Sequence, residues 1–234
     1  MKKYVVSALA ALSFALASQA QTSGWESGVT LSGGAADYFY TGTNPNLGVV
    51  IKDYPSHVPR FYYAAGVYGR KFFKEKFGLE AGLQYSSFAT GSNVGTFYNT
   101  DGTYAGKGQF SARHNFMELP VRFVFKNDFN RFSIGCFAGL APAVLIQGYG
   151  RTVLHMADGE RNIQRDNFSP VSNRFNLFAD AGLLLRADIT SHFAIDARPF
   201  FRVSALNVFR KSADAYFNQL FWSGGVTVNT VWKF

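Results

Sequence analysis

Seven charged residues recur at one parity within otherwise apolar runs: Glu80, Glu118, Arg122, Asp180, Asp196, Arg198 and Arg202. Opposite charges in such places can gate an ion path, or pair with one another as interior salt bridges. The second reading is favoured, because an unpaired buried charge costs several kcal/mol. Nucleophilic chemistry needs a nucleophile and a base in hydrogen-bond reach. The candidate bases are His57, His114, His155 and His192. Three of these fall in expected loops or turns. His114 starts a strand near Ser111 and Asn115, yet it shares parity with Glu118 and so points away from a lipid substrate. Asp101-Gly102 and Asp158-Gly159 read as turns, without the spaced acids of a calcium loop. No phosphate-cradling glycine loop precedes a helix. Cys136 is the only cysteine, so neither a disulfide nor a cysteine metal site is expected. The expectation is a chain that is not an enzyme and holds no metal or cofactor.

The elements that carry these residues alternate in twos, which is the signature of strands. The last stretch is the clearest by length. Leu220, Trp222, Gly224, Val226, Val228, Thr230, Trp232 and Phe234 form one row, against Phe221, Ser223, Gly225, Thr227, Asn229, Val231 and Lys233. Similar runs are expected at Trp25–Ala35, Arg60–Arg70, Phe77–Ser86, Phe116–Phe125, Phe132–Val144, Arg174–Arg186 and Phe193–Val203. Pro142 is expected to kink its strand near the end. Between the strands, long polar stretches (36–59, 90–113, 147–173 and 207–218) alternate with short links at 73–76, 126–131 and 188–192. Eight strands in this long–short rhythm are what an up-and-down outer-membrane barrel requires, with short periplasmic turns, long outer loops and both ends periplasmic.

The address agrees. Lys2 and Lys3 precede an apolar run from Tyr4 to Ala17, then Ser18-Gln19-Ala20. Residues 1–20 therefore read as a signal peptide cleaved before Gln21, and 21–234 as one barrel domain. Nothing after Ala20 is long and apolar enough for a membrane-spanning helix. Removing the two lysines takes the formal charge from +8 to +6, with positive residues spread along the chain and no nucleic-acid module.

Alternation alone leaves a soluble, lipocalin-like barrel open. Three features favour the inverted, membrane-facing form. Glycines crowd the polar face at Gly28, Gly34, Gly66, Gly78, Gly82, Gly182 and Gly225, as a narrow lumen would require. Charges of both signs sit mid-strand on that same face. Aromatics gather near strand ends (Tyr62, Tyr63, Phe72, Phe73, Tyr85, Phe88, Phe125, Phe129, Trp222, Trp232 and Phe234), where two interfacial girdles are expected. The fold class is thus all-β, an eight-stranded antiparallel transmembrane β-barrel.

Phe116-Met117-Glu118-Leu119-Pro120-Val121 resembles the E-[IL]-P strand signature of PorT-like outer-membrane barrels, a porin-family group of Bacteroidota with small OmpA/OmpX-like barrels. Gly135, Gly139, Pro142 and Asp180-Ala181-Gly182 resemble that family's later strands. The resemblance implies an outer-membrane location, no catalytic or ligand residues, and a link to protein secretion in some members. It also implies that Trp232 and Phe234 form a signal read by the barrel-assembly machinery. The expected function is structural or interaction-based, accessory to secretion, with protein partners at loops or periplasmic turns. The alternatives are a narrow porin or small-solute channel and, less favoured, a lipid-modifying enzyme. Basic residues Lys107, Arg151, Arg161, Arg165, Arg210 and Lys211 could meet lipopolysaccharide phosphates, or be ordinary solvated charges.

Overall fold

The computed structural model describes residues 24–41, 57–73, 75–98, 102–170, 172–208 and 218–234. The expected signal peptide, Arg210 and Lys211 lie outside them. The alternating runs become strands: β1 (Trp25–Thr41), β2 (His57–Phe73), β3 (Phe77–Ser92), β4 (Gly95–Tyr98), β5 (Tyr104–Glu118) and β6 (Val121–Phe129). They continue as β7 (Phe132–Met156), β8 (Arg161–Asn167), β9 (Phe175–Asp188), β10 (Phe193–Ser204) and β11 (Asn218–Lys233).

β5 and β6 behave as one spanning strand. Gln84 faces Glu118 and Ala81 faces Val121, so the register with β3 runs unbroken past Pro120. The register with β7 does the same, from Glu118↔Ala143 to Val121↔Leu140. Proline removes one donor and keeps its carbonyl, so Gly82 N–H still donates to Pro120 O at 3.0 Å. The pairing passes antiparallel from β1 through β2, β3, β5–β6, β7, β9, β10 and β11, and β11 pairs β1 again. Eight spanning strands therefore leave no edge within the bilayer. β4 and β8 lie beyond them as short hairpin partners of β5 and β7.

The strands reach further than the sequence pattern suggests. The expected loops at 90–113 and 147–173 are largely strand: β5 begins at Tyr104, and β7 continues to Met156. His155 is accordingly in a strand, and Pro142 does not interrupt β7. The Pro142 carbonyl accepts from Leu119 N–H at 2.9 Å while the opposite edge pairs with β9, so pairing on both sides carries the strand past it. Polar residues above the membrane still pair, since backbone bonds do not depend on an apolar side chain.

The two faces separate by parity. Leu31, Leu79, Leu119, Phe123, Ile134, Leu140, Leu183 and Val228 stand outward and exposed around the wall. An apolar surface this continuous is untenable in water and fits hydrocarbon. Cys136 is on this outer face. The inner rows are buried. Glycine is required where inner rows crowd: a Cβ at Gly34 would overlap the Gly224 carbonyl, and one at Gly225 the Gly33 carbonyl, across the β1–β11 seam.

Replacing Gly34 or Gly225 by Val should therefore destabilise closure by more than about 1–3 kcal/mol, the scale of overpacking. Gly33→Val faces open space and should be tolerated. Heat-modified gel mobility of the refolded variants reads the folded fraction; equal mobility patterns for all three would contradict the seam argument.

Candidate functional site in the barrel lumen

The inner rows of seven strands carry ten buried charges. The carboxylates are Glu26, Glu80, Glu118, Asp180 and Asp196; the guanidiniums are Arg70, Arg122, Arg186, Arg198 and Arg202. Five face five, so the fully ionised set is neutral.

The set is continuous. Nearest the periplasm, Glu26, Arg70, Asp196 and Arg186 close a ring. Arg70 Nη2 lies 2.6 Å from Glu26 and 3.1 Å from Asp196. Arg186 bridges the same two acids at 2.7 Å each. Arg198 carries the connection upward, from Asp196 at 2.9 Å to Glu80 at 2.9 Å. Arg122 joins Glu80 at 3.1 Å to Asp180 at 2.7 Å. Arg202 then spans Asp180 at 3.1 Å and Glu118 at 2.8 Å. Glu118 also accepts from Gln84 Nε2 at 2.5 Å and from the Ser86 hydroxyl. Planar guanidinium forks suit such multiple carboxylate contacts, which lysine could not make.

All seven charges singled out by spacing stand in this network. Spacing missed Glu26, Arg70 and Arg186, which occupy the same inner rows nearer the strand ends. Their parity is readable: Arg70 follows Tyr62, Ala64, Gly66 and Tyr68, and Arg186 follows Asn176, Asp180 and Gly182.

Above the charges lies an aromatic plug. Phe88 stacks on Phe178 at 4.9 Å with 7° between planes, and meets Phe116 edge-on at 5.8 Å. Tyr62 and Phe221 approach Phe88 at 4.9 and 5.0 Å. Tyr62 and Phe88 are fully inside, not in an interfacial girdle as their position near strand ends suggests. Phe72 is likewise an inner residue, over which the Arg70 and Lys126 cations sit at 5.1 and 4.7 Å. Parity outranks height here: each of the three shares its row with lumen residues. The two layers join where the Arg202 guanidinium lies 5.4 Å over the Phe178 ring and reaches the Tyr62 hydroxyl at 3.3 Å. The cavity at this junction, bounded by Tyr62, Arg122, Asp180, Arg198, Phe200 and Arg202, measures about 10 Å³. That is roughly the space of a single water molecule.

His114 and Ser111 point to opposite faces of β5. The buried imidazole shares a hydrogen bond with the Ser172 hydroxyl at 3.3 Å and packs 5.2 Å from the Phe221 ring. The Ser111 hydroxyl donates outward to the Arg151 carbonyl at 3.3 Å. His192 lies in the β9–β10 turn, His155 is exposed on β7, and the His57 side chain is outside the described residues.

At the periplasmic rim, Trp232 stands on the outer row of β11 and Phe234, also exposed, follows directly after the strand's end. Trp232 lies 6.1 Å from the Phe193 ring, and the Phe234 N–H donates to the Trp25 carbonyl at 3.1 Å.

A closed antiparallel wall, apolar outside and charged within, is the geometry of a bacterial outer-membrane barrel. The family model for the outer membrane protein beta-barrel domain matches residues 18–201. The chain belongs to this family. An outer-membrane barrel is therefore its fold and the outer membrane its location. No curated protein matches the chain. Among solved structures, Ail, the attachment invasion locus protein of Yersinia pestis, is 14% identical, covering 90% of this chain and 99% of its own, with a TM-score of 0.34. Neisserial surface protein A is 9% identical over 91% and 98% of the two chains, with a TM-score of 0.42. OprG of Pseudomonas aeruginosa is 11% identical over 92% and 98%, with a TM-score of 0.37.

Removing one partner from the barrel's charge network should cost more than removing a pair. Arg202→Met leaves Glu118 buried without its cation and should lower stability by about 3–5 kcal/mol. Glu118→Gln with Arg202→Met restores neutrality and should recover more than half. Urea unfolding in lipid vesicles, followed by tryptophan fluorescence, measures both; a double variant as weak as the single one would refute the coupling.

Proposed function

We propose that this barrel is a sealed membrane platform: it anchors and spaces its loops and turns for contacts with other proteins, and does not conduct. The observation that carries this reading is the filled lumen. A neutral, continuous salt-bridge network occupies the periplasmic part and an aromatic plug the outer part. The cavity where they meet admits about one water molecule. A hydrated ion would have to break charge-assisted bonds and then part stacked rings. We read the chain as non-enzymatic, because His114 is enclosed by the plug and separated from Ser111 by the barrel wall.

The finer family reading rests on Glu118-Leu119-Pro120. Glu118 accepts from Arg202, Gln84 and Ser86, and Pro120 tolerates its missing donor inside a doubly paired strand. That structural role for each residue supports a PorT-like assignment and, with it, a task accessory to secretion. Protein partners at the outer loops or periplasmic turns belong to the same proposal, as does cleavage of the signal peptide before Gln21.

Purified barrel in planar bilayers should give no stable ohmic step. A reproducible ohmic pore would sink the sealed platform and favour the narrow channel. Opening the plug with Phe88→Ala and Phe178→Ala should leave conductance low, because the charge network still blocks the lumen.

Trp232 and Phe234 are proposed as the assembly signal, on their exposed placement at the end of the strand that closes the wall. Phe234→Asp should reduce folded barrel in the outer membrane while the purified protein refolds normally in vitro. Normal levels of folded barrel in cells would refute the signal.

A further inference from the structure

The outer face of the wall holds a second cluster that neither the sealed lumen nor the assembly signal uses. Near the extracellular ends of β2, β3, β5 and β7 lies a groove of about 460 Å³, bordered by Arg60, Phe61, Ser111, Arg113, Tyr149 and Arg151. Its volume is in the range of ligand sites. Among the described residues no carboxylate lines it. Every lumen arginine has at least one carboxylate within salt-bridge distance, whereas Arg60, Arg113 and Arg151 have none among the described residues. Three guanidiniums gathered without a counter-charge repel one another, and an anion placed between them relieves that repulsion.

The local backbone is shaped for the cluster. The register between β2 and β3 shifts between Pro59 and Tyr62, so a bulge carries Arg60 together with Phe61 to the outer side. Residue 91 is glycine where Arg60 lies across β3: a Cβ there would stand 2.7 Å from Arg60 Nε and displace that side chain. Arg113 is held 6.0 Å over the Tyr63 ring.

Height identifies the ligand's source. Tyr63 and Tyr85 pair outward at 6.2 Å, and Phe61 stacks on Tyr63 at 6.1 Å. On β2, Tyr63 lies ten residues from Phe73 at the periplasmic end. About ten tilted residues cross the hydrocarbon, so these rings mark the outer interface. The groove opens immediately above them. It is continued away from the membrane by a second groove of about 250 Å³ that shares Arg151 and adds His155 and Arg161. A soluble phosphate needs only one such site. A lipid whose phosphorylated sugar headgroup rises from the outer leaflet would fill both, with its chains against Phe61.

We propose that this groove binds a phosphate of lipopolysaccharide from the outer leaflet, with Arg60, Arg113 and Arg151 as its phosphate ligands and bidentate guanidinium bonds as the contact.

The test uses the full-length barrel in detergent with three probes: purified lipopolysaccharide, the same material enzymatically dephosphorylated, and inorganic phosphate. Wild type should bind lipopolysaccharide at least about tenfold more tightly than the dephosphorylated form, as loss of charge-assisted bonds predicts. Arg113→Glu with Arg151→Glu should weaken binding of intact lipopolysaccharide by at least about tenfold, with unchanged heat-modified gel mobility. Arg113→Lys with Arg151→Lys should fall between the two. Arg174→Glu, exposed just before β9 and lining neither groove, should leave binding at the wild-type level. Equal binding of the dephosphorylated lipid, unchanged binding in the double Glu variant, or an equal loss with Arg174→Glu overturns the site. Displacement of lipopolysaccharide by submillimolar inorganic phosphate overturns the lipid as ligand and identifies free phosphate.

Discussion

Hydrocarbon offers no hydrogen bond to a peptide group, and the rest of this molecule follows from that constraint. Each unsatisfied N–H or C=O in the bilayer core costs several kcal/mol, so the wall must close. Closure by eight strands makes β11 pair with β1 and leaves a bore that only glycines and interlocking side chains can share. Once the wall is closed, each residue has one decision to make, in or out, and parity makes it. The prolines show how strict the requirement is. Pro120 and Pro142 each forgo a donor, yet both retain their carbonyl bonds to the neighbouring strand, and the register on either side is undisturbed.

The bore is filled by two kinds of matter that rarely mix. Ten paired charges occupy the periplasmic part, and a cluster of rings occupies the outer part. They meet through arginine, whose planar cation is weakly hydrated and can face a carboxylate with one edge and a ring with its plane. Arg202 does both, bridging Glu118 and Asp180 while lying over Phe178. The balance of five acids against five arginines is what permits so many charges in so small a volume. Deleting either member of a pair leaves its partner without compensation. Deleting one member therefore costs more than the intact network contributes in net stability.

Much of this architecture is legible in the order of the residues. The spanning strands, their long–short rhythm and the outward row of β11 follow from period-two alternation, a direct consequence of the pleat. All seven charges picked out by spacing reach the lumen, because mid-strand parity leaves them no other place. Where the fold departs from the sequence pattern, the causes are physical. Height along the strand points Tyr62, Phe72 and Phe88 to girdles, whereas the row they occupy is the stronger indicator. The polar stretches beginning at Thr90 and Gln147 read as loops, because composition reports side chains, whereas the extended ladder of β5 and β7 is held by backbone pairing that needs no apolar side chain. Glu26, Arg70 and Arg186 sit at strand ends, where a charge reads as ordinarily solvated.

Linear order thus determined the fold class, the membrane address, which row faces lipid and the sign of each charge in the bore. It could do so because each of these depends on neighbours one or two residues apart. The tertiary structure alone decided which acid meets which arginine, that the charges balance within one connected set, and that rings from five strands stack into a plug. It also decided that Arg60, Arg113 and Arg151 converge above the outer girdle. Those facts depend on the register and curvature of strands far apart in sequence. Register is set by closure of the whole wall, through a bulge at Pro59–Tyr62 and glycines at the β1–β11 seam, and no local pattern encodes it.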